Sequence, residues 1–316
     1  MEEERSTVPP DILTEVDGNG PSKQPSRRSR SLPTEESGGH SQNTKPQGST
    51  DSVTGLDEYP MTYPRRGHAV IFNNYWFAEH SLRDGTDTDV VNLQRTLGML
   101  GFKVTVHKDL TAPEMEVKMK ELARDDHSNA DCFFAVFLSH GAEGGIFGKI
   151  GFSRYDALTG DFHRGDICKT LVGKPKIFII QACRGNESEE AVAVSPPPPD
   201  DGYGEIETDG PTVAAGSDIL YAFASGSGSA AFRSPEHGSW FIQTLCQYMC
   251  DYADSSSMDF QRILTKVSQQ VSTEFACNNT TSGHHNRKQA PTVETTFTKL
   301  LYLRPKAKTR KPKYFQ

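Results

Sequence analysis

A histidine and a cysteine each close a short apolar run that ends near glycine. His140 follows Cys132-Phe-Phe-Ala-Val-Phe-Leu-Ser139 and precedes Gly141, and Cys183 follows Lys176-Ile-Phe-Ile-Ile-Gln-Ala182, two residues before Gly185. A free thiol with a pKa of about 8.5 is only a few per cent thiolate at neutral pH, so a hydrolytic cysteine needs a base beside it. An imidazole can be that base. Gly141 leaves room for a carbonyl to approach the backbone, and the amides of Gly141 and Cys183 can donate to a tetrahedral oxyanion; each such donor is worth about 3 kcal/mol in a transition state. A lone buried Cys or His more often just packs. Packing does not require that both stand at run ends followed by glycine.

The elements that must position this pair are legible in outline. Runs that are apolar at every position and closed by glycine are expected to be strands of a parallel sheet covered on both faces. In such sheets ligands bind beyond the carboxyl ends of the strands, so if the two runs are parallel neighbours, His140 and Cys183 meet there. Around them the pattern alternates. Gly67 to Phe72 reads as a first strand, and Asp87 to Leu100 as a helix with Val90, Leu93, Leu97 and Leu100 on one face and Gly101 as its stop. Phe102 to His107 reads as a strand, and Thr111-Ala-Pro-Glu114 is a capping box that opens another helix. Later, Asp218 to Ala224 reads as a strand, Trp240 to Tyr252 and Phe260 to Phe275 as helices, and Thr295 to Leu303 as a last strand. The alternation predicts an α/β fold with a largely parallel sheet.

The 316 residues carry a net charge of −7 and only 35% hydrophobic residues, so part of the chain is expected to be unfolded. Residues 1–58, dense in Ser, Pro, Gly, Glu and Arg, read as a disordered leader. Residues 186–209 read as a linker, with four consecutive prolines, Pro196 to Pro199, inside an otherwise compact sequence. The chain opens without an apolar signal segment and has no run of membrane-spanning length, which points to a soluble cytoplasmic protein. The negative charge argues against nucleic-acid binding; the basic C-terminal tail from Lys306 to Lys313 reads as solvated. Six cysteines include no Cys-x-x-Cys pair, and His284-His285 lacks the spacing of a zinc site, so neither metal nor cofactor is expected.

Gln181-Ala-Cys183-Arg184-Gly185 resembles the caspase active-site pentapeptide. In that family a histidine stands about fifty residues upstream; here the separation is 43. Ser139-His140-Gly141 is similar to the family's histidine motif. Arg83-Asp-Gly-Thr-Asp87, Phe162-His-Arg-Gly-Asp166, Gly173-Lys-Pro-Lys176, Gly238-Ser-Trp-Phe241 and Lys288-Gln-Ala-Pro291 look like executioner-caspase segments in the right order, over roughly residues 59–304.

The resemblance implies a three-layer sandwich on a six-stranded, mostly parallel sheet that continues across the two-fold of a homodimer. It implies a large segment (59–209) and a small segment (210–316), separated by cleavage within a zymogen. Cys183 is then the nucleophile, and His140 the proton donor to the leaving amine. Arg83, Gln181 and Arg233 look like the pocket for an aspartate before the scissile bond. Two guanidiniums match a carboxylate bidentately and leave a positive surplus that only an acid neutralises. Phe232, Ser234 and Trp240 are expected to line the outer subsites. Here Ser229, Ala230 and Ala231 precede Phe232, and Ser234 stands where asparagine is usual, so the outer preference is open.

Asp209, in Ile206-Glu-Thr-Asp-Gly210, is the expected activation site, with Asp200 and Asp201 as competitors and Asp17 and Asp51 as sites of leader removal. The implied partners are protein substrates, an upstream initiator caspase and inhibitor-of-apoptosis proteins. The sequence argues against three alternatives. A relative that cleaves after basic residues needs acids in the pocket, which Arg83 and Arg233 argue against. A catalytically silent scaffold is at odds with an intact His140 and Cys183. An initiator-type enzyme needs a helical recruitment domain before residue 60, and the leader is too polar and short.

Overall fold

A computed structural model of the chain describes residues 56–185, 216–277 and 287–306. The leader to residue 55, the linker from 186 to 215, the stretch 278–286 and the tail from 307 lie outside the described residues. With them lie Asp17, Asp51, Asp200, Asp201 and Asp209.

Strand β1 (His68–Asn73), helix α1 (Thr86–Met99), β2 (Lys103–Lys108), α2 (Ala112–Arg124) and β3 (Phe133–Leu138) follow the predicted alternation. Three short strands, β4 (Gly141–Ala142), β5 (Gly145–Phe147) and β6 (Phe152–Arg154), then make a small antiparallel sheet before α3 (Tyr155–Thr159). After β7 (Lys176–Gln181) come β8 (Ile219–Phe223), the hairpin β9 (Arg233–Ser234) and β10 (Gly238–Ser239), α4 (Trp240–Asp251), α5 (Phe260–Glu274) and β11 (Thr292–Thr295).

The main sheet has six strands in the order β11-β8-β7-β3-β1-β2, all parallel except β11. Every residue of β3 and of β7 is buried, because both lie in the middle of the sheet and both faces are covered. Successive side chains point to opposite faces. Ala69 and Ile71 of β1 join one core with Leu93 and Leu97 of α1, Leu245 of α4 and Val267 of α5; Val70 and Phe72 join a second core with Met115 and Met119 of α2 and Leu158 of α3. Two helical layers thus sandwich the sheet. The predicted capping box forms, the Thr111 hydroxyl and Glu114 carboxylate each accepting from the other's backbone N–H.

The predicted last strand is displaced. The final strand ends at Thr295, where the predicted one begins, and it runs antiparallel along β8. Leu300 to Leu303 are buried but lie outside the sheet: the Leu300 carbonyl accepts from Tyr59 N–H and the Leu301 carbonyl from Phe260 N–H. Their apolar pattern reflects burial beneath the N-terminal segment and α5 rather than strand pairing. β11 shows little of the apolar signal of a strand, because three of its four residues are exposed at the sheet edge.

Candidate active site

β3 and β7 pair in parallel with Leu138 opposite Gln181, so the loops that follow them leave the sheet side by side at its carboxyl edge. His140 is two residues beyond β3 and Cys183 two beyond β7. The loops touch: a Cβ added to Gly141 would stand 2.5 Å from the Cys183 carbonyl oxygen and 2.9 Å from the Ala182 Cβ. Glycine is required there by close approach of backbone to backbone. Gly141→Ala is therefore expected to push the cysteine loop away from the histidine loop; a displacement of about 1 Å in such sites costs ~10²-fold in rate. Turnover at saturating substrate, measured beside the melting temperature, checks that the loss is catalytic rather than one of folding.

His140 Nε2 lies 3.0 Å from the carbonyl oxygen of Ser81. A carbonyl only accepts, so Nε2 carries the hydrogen and Nδ1 keeps the lone pair. Among the described residues the ring is oriented by a backbone carbonyl from the loop after β1 rather than by an acidic side chain, and Phe77 packs 4.6 Å from it, centroid to centroid. Burial, with Arg83 adding to it, pushes the imidazole pKa down to about 3. Burial raises the Cys183 thiol pKa, while the Ala231 N–H and Arg83 draw it down. The resting pair is thus neutral thiol and neutral imidazole. Ala231 N–H donates to Cys183 Sγ at 3.3 Å, and Arg184 N–H donates to the Ser229 carbonyl at 2.9 Å, fastening the loop after β8 onto the cysteine loop.

The three residues expected to form the acid pocket come together at the same corner. Arg83, Gln181 and Arg233 are 0, 0 and 5% exposed. Arg83 Nη1 donates to Thr86 Oγ1 at 3.0 Å and to the Asn74 carbonyl at 3.4 Å. The Asn74 amide in turn reaches Ser139 Oγ, next to His140. Arg233, on the short hairpin, donates through Nε to the carbonyl of Asp84, the residue after Arg83. Gln181, at the end of β7, is fully buried with neither side-chain Oε1 nor Nε2 hydrogen-bonded. A buried amide with no partner costs on the order of 1–3 kcal/mol per group, which is tolerable where a ligand completes it. Burial holds both guanidinium pKa values below their ordinary range, Arg83 at about 10 and Arg233 at about 9.

Phe232, Ser234 and Trp240 are all buried. Trp240 packs between Phe232, 4.9 Å away, and Phe275, stacked at 5.2 Å. Phe275, expected only as the end of the last helix, is the extended residue that follows α5, four residues after the buried Val271. The Ser81 carbonyl has no sequence signal at all, since any residue supplies one.

Residues 66–302 match the caspase domain. Caspase-3 of Mesocricetus auratus is 40% identical over 258 residues, which are 80% of this chain and 90% of that protein. The chain belongs to the caspase family. Caspase-7 of Gallus gallus is 37% identical over 256 residues, 79% of this chain and 81% of that protein. The crystal structure of caspase-1 from Spodoptera frugiperda superposes with a TM-score of 0.71 at 34% identity, covering 80% of this chain and 97% of the other. The chain is accordingly a cysteine peptidase with executioner caspases among its relatives. No helix among the described residues is long and apolar enough to cross a membrane.

Proposed function

We propose that this caspase is a cytoplasmic executioner of apoptosis that cuts protein substrates after aspartate. The observation that carries the reading is the corner where the unpartnered amide of Gln181 lies with two buried arginines, two residues before Cys183. An aspartate side chain supplies the charge and the acceptors that such a corner asks for.

In the reaction, His140 Nδ1 takes the proton of the Cys183 thiol and the sulfur attacks the carbonyl carbon. The carbonyl oxygen becomes an oxyanion held by the amides of Gly141 and Cys183. The carbon–nitrogen bond breaks as His140 returns the proton to the leaving amine; water, deprotonated by the same imidazole, then releases the acyl group and restores the thiol. The Ser81 carbonyl keeps the ring in the tautomer this needs.

The chain is made as a zymogen, with the leader 1–58 removed at Asp17 or Asp51 and the linker 186–209 cut by an upstream initiator caspase at Asp209, Asp200 or Asp201. Cleavage at Asp209 separates the large segment, which carries 59–209, from the small segment 210–316. The exposed, antiparallel edge strand β11 supports a homodimer in which the sheet continues into a second copy. Inhibitor-of-apoptosis proteins are further partners of the mature form. A peptide library scanned at the four positions before the scissile bond tests the reading on the purified, processed protein. Aspartate alone is expected at the position before the cut, and a basic or indifferent preference there overturns it.

A further inference from the structure

The reaction as described leaves one buried acid at the site without a role. Asp89 on α1 is fully buried, on the helix whose first residue accepts from Arg83 and against the hairpin that carries Arg233. Arg83 donates to Thr86 at the start of α1. Asp89 is three residues further on, so it shares the Thr86 face one turn along. Its carboxylate accepts from the Ser239 N–H at 2.8 Å and from the Ser239 hydroxyl. Ser239 in turn pairs across the β9–β10 hairpin with Arg233. Gly238, at φ 82°, lets the hairpin lie flat on the acid; a Cβ there would be 2.4 Å from Asp89 Oδ1.

The electrostatics of this corner are lopsided. The N-terminus of α1 presents the positive end of the helix dipole beside a guanidinium, which adds to the potential an incoming anion meets. Asp89 bears on Arg83: it raises the Arg83 pKa against burial, and its own carboxyl is pushed up to about 6 by burial, against the Ser239 hydrogen bonds and Arg83. Buried charges are weakly screened.

We propose that Asp89 is a tuning charge for the aspartate pocket, acting through Arg83: it offsets part of the guanidinium charge and so sets how tightly the pocket holds the substrate aspartate and how readily the product leaves. The product matters because cleavage creates a second carboxylate, on the backbone of the same aspartate. A more positive pocket holds that dianionic terminus longer and slows release. Asp89 is a positioning residue, and the inference rests on the aspartate-pocket reading given above.

Asp89→Asn separates charge from geometry. The amide oxygen still accepts from the Ser239 N–H, and the amide nitrogen donates to the Ser239 hydroxyl, so the hairpin keeps its anchor. KM for a peptide with aspartate before the cut is expected to fall several-fold, and inhibition by the matching product peptide to tighten in parallel. If thermal melting shows that the asparagine variant does not fold, Asp89→Ser is the second neutral variant, its hydroxyl still accepting from the Ser239 N–H. A folded neutral variant whose KM is unchanged or raised, with no tightening by product, overturns the inference and leaves Asp89 as a structural clamp. The wild-type preference for aspartate over asparagine peptides, read in the same assay, keeps the two readings apart. Its absence refutes the pocket; its presence with unchanged neutral variants refutes only the tuning charge.

Discussion

Cys183→Ala abolishes peptide cleavage and self-cutting at Asp209 together. Loss of the nucleophile from a triad protease lowers turnover by about 10⁶-fold, the remainder coming from binding and the oxyanion donors. The site explains why no other group substitutes. Cys183 lies on the loop that abuts the imidazole loop, its carbonyl against Gly141. Among the described cysteines, Cys132, Cys168 and Cys246 have thiol pKa values raised to between about 11 and 12 by burial. The substitution removes a single sulfur and leaves Ala231 N–H without its acceptor, a loss of about 1 kcal/mol that a folded domain withstands. Purified variant zymogen, incubated alone and followed by gel, is the measurement. Processing at Asp209 in that sample would mean that Cys183 is not the nucleophile.

Arg83→Gln removes selectivity for aspartate. A site built around a polar group rejects analogues that lack it by about 10⁴-fold or more, because its own buried groups are then left unpaired. Arg83 is fully buried and rigidly held by Thr86 and Asn74, so its fork is fixed before substrate arrives. The ratio of kcat/KM for peptides with aspartate and with asparagine before the cut is expected to fall from about that value to near unity. Arg83→Lys recovers part of it, since an ammonium carries the charge without the planar fork. Arg83→Gln also removes the positive charge that helps to offset the burial of Asp89, so its melting temperature is expected to fall. An unchanged ratio in folded Arg83→Gln places the pocket elsewhere.

Much of this architecture is legible in the residues because the two central strands are covered on both faces. A strand buried on both sides must be apolar throughout, and β3 and β7 announce themselves that way, as do the capped α2 and the one-sided faces of α1 and α5. β11 failed the same test for the converse reason. It is an exposed edge whose pairing with β8 is made by backbone atoms, while the apolar residues from Leu300 to Leu303 are buried by neighbours distant in sequence. Trp240 was legible as an aromatic near the site, but Phe275 stacks on it only because α4 and α5 pack together.

By itself the amino-acid sequence offered a thiol and an imidazole at the ends of two buried apolar runs and aspartates in a polar linker, properties of residue type and local pattern. Its resemblance to the caspases added the expectation that two arginines and a glutamine hold an acid. Only the tertiary structure decided how that chemistry is arranged. It supplied a backbone carbonyl as the orienting group for His140, fastened the Ala231 loop over the thiol, and brought Asp89 against the hairpin that carries Arg233. Each of these depends on contacts between segments far apart in the chain, made by backbone atoms that every residue possesses or by a carboxylate whose surroundings no local pattern reveals.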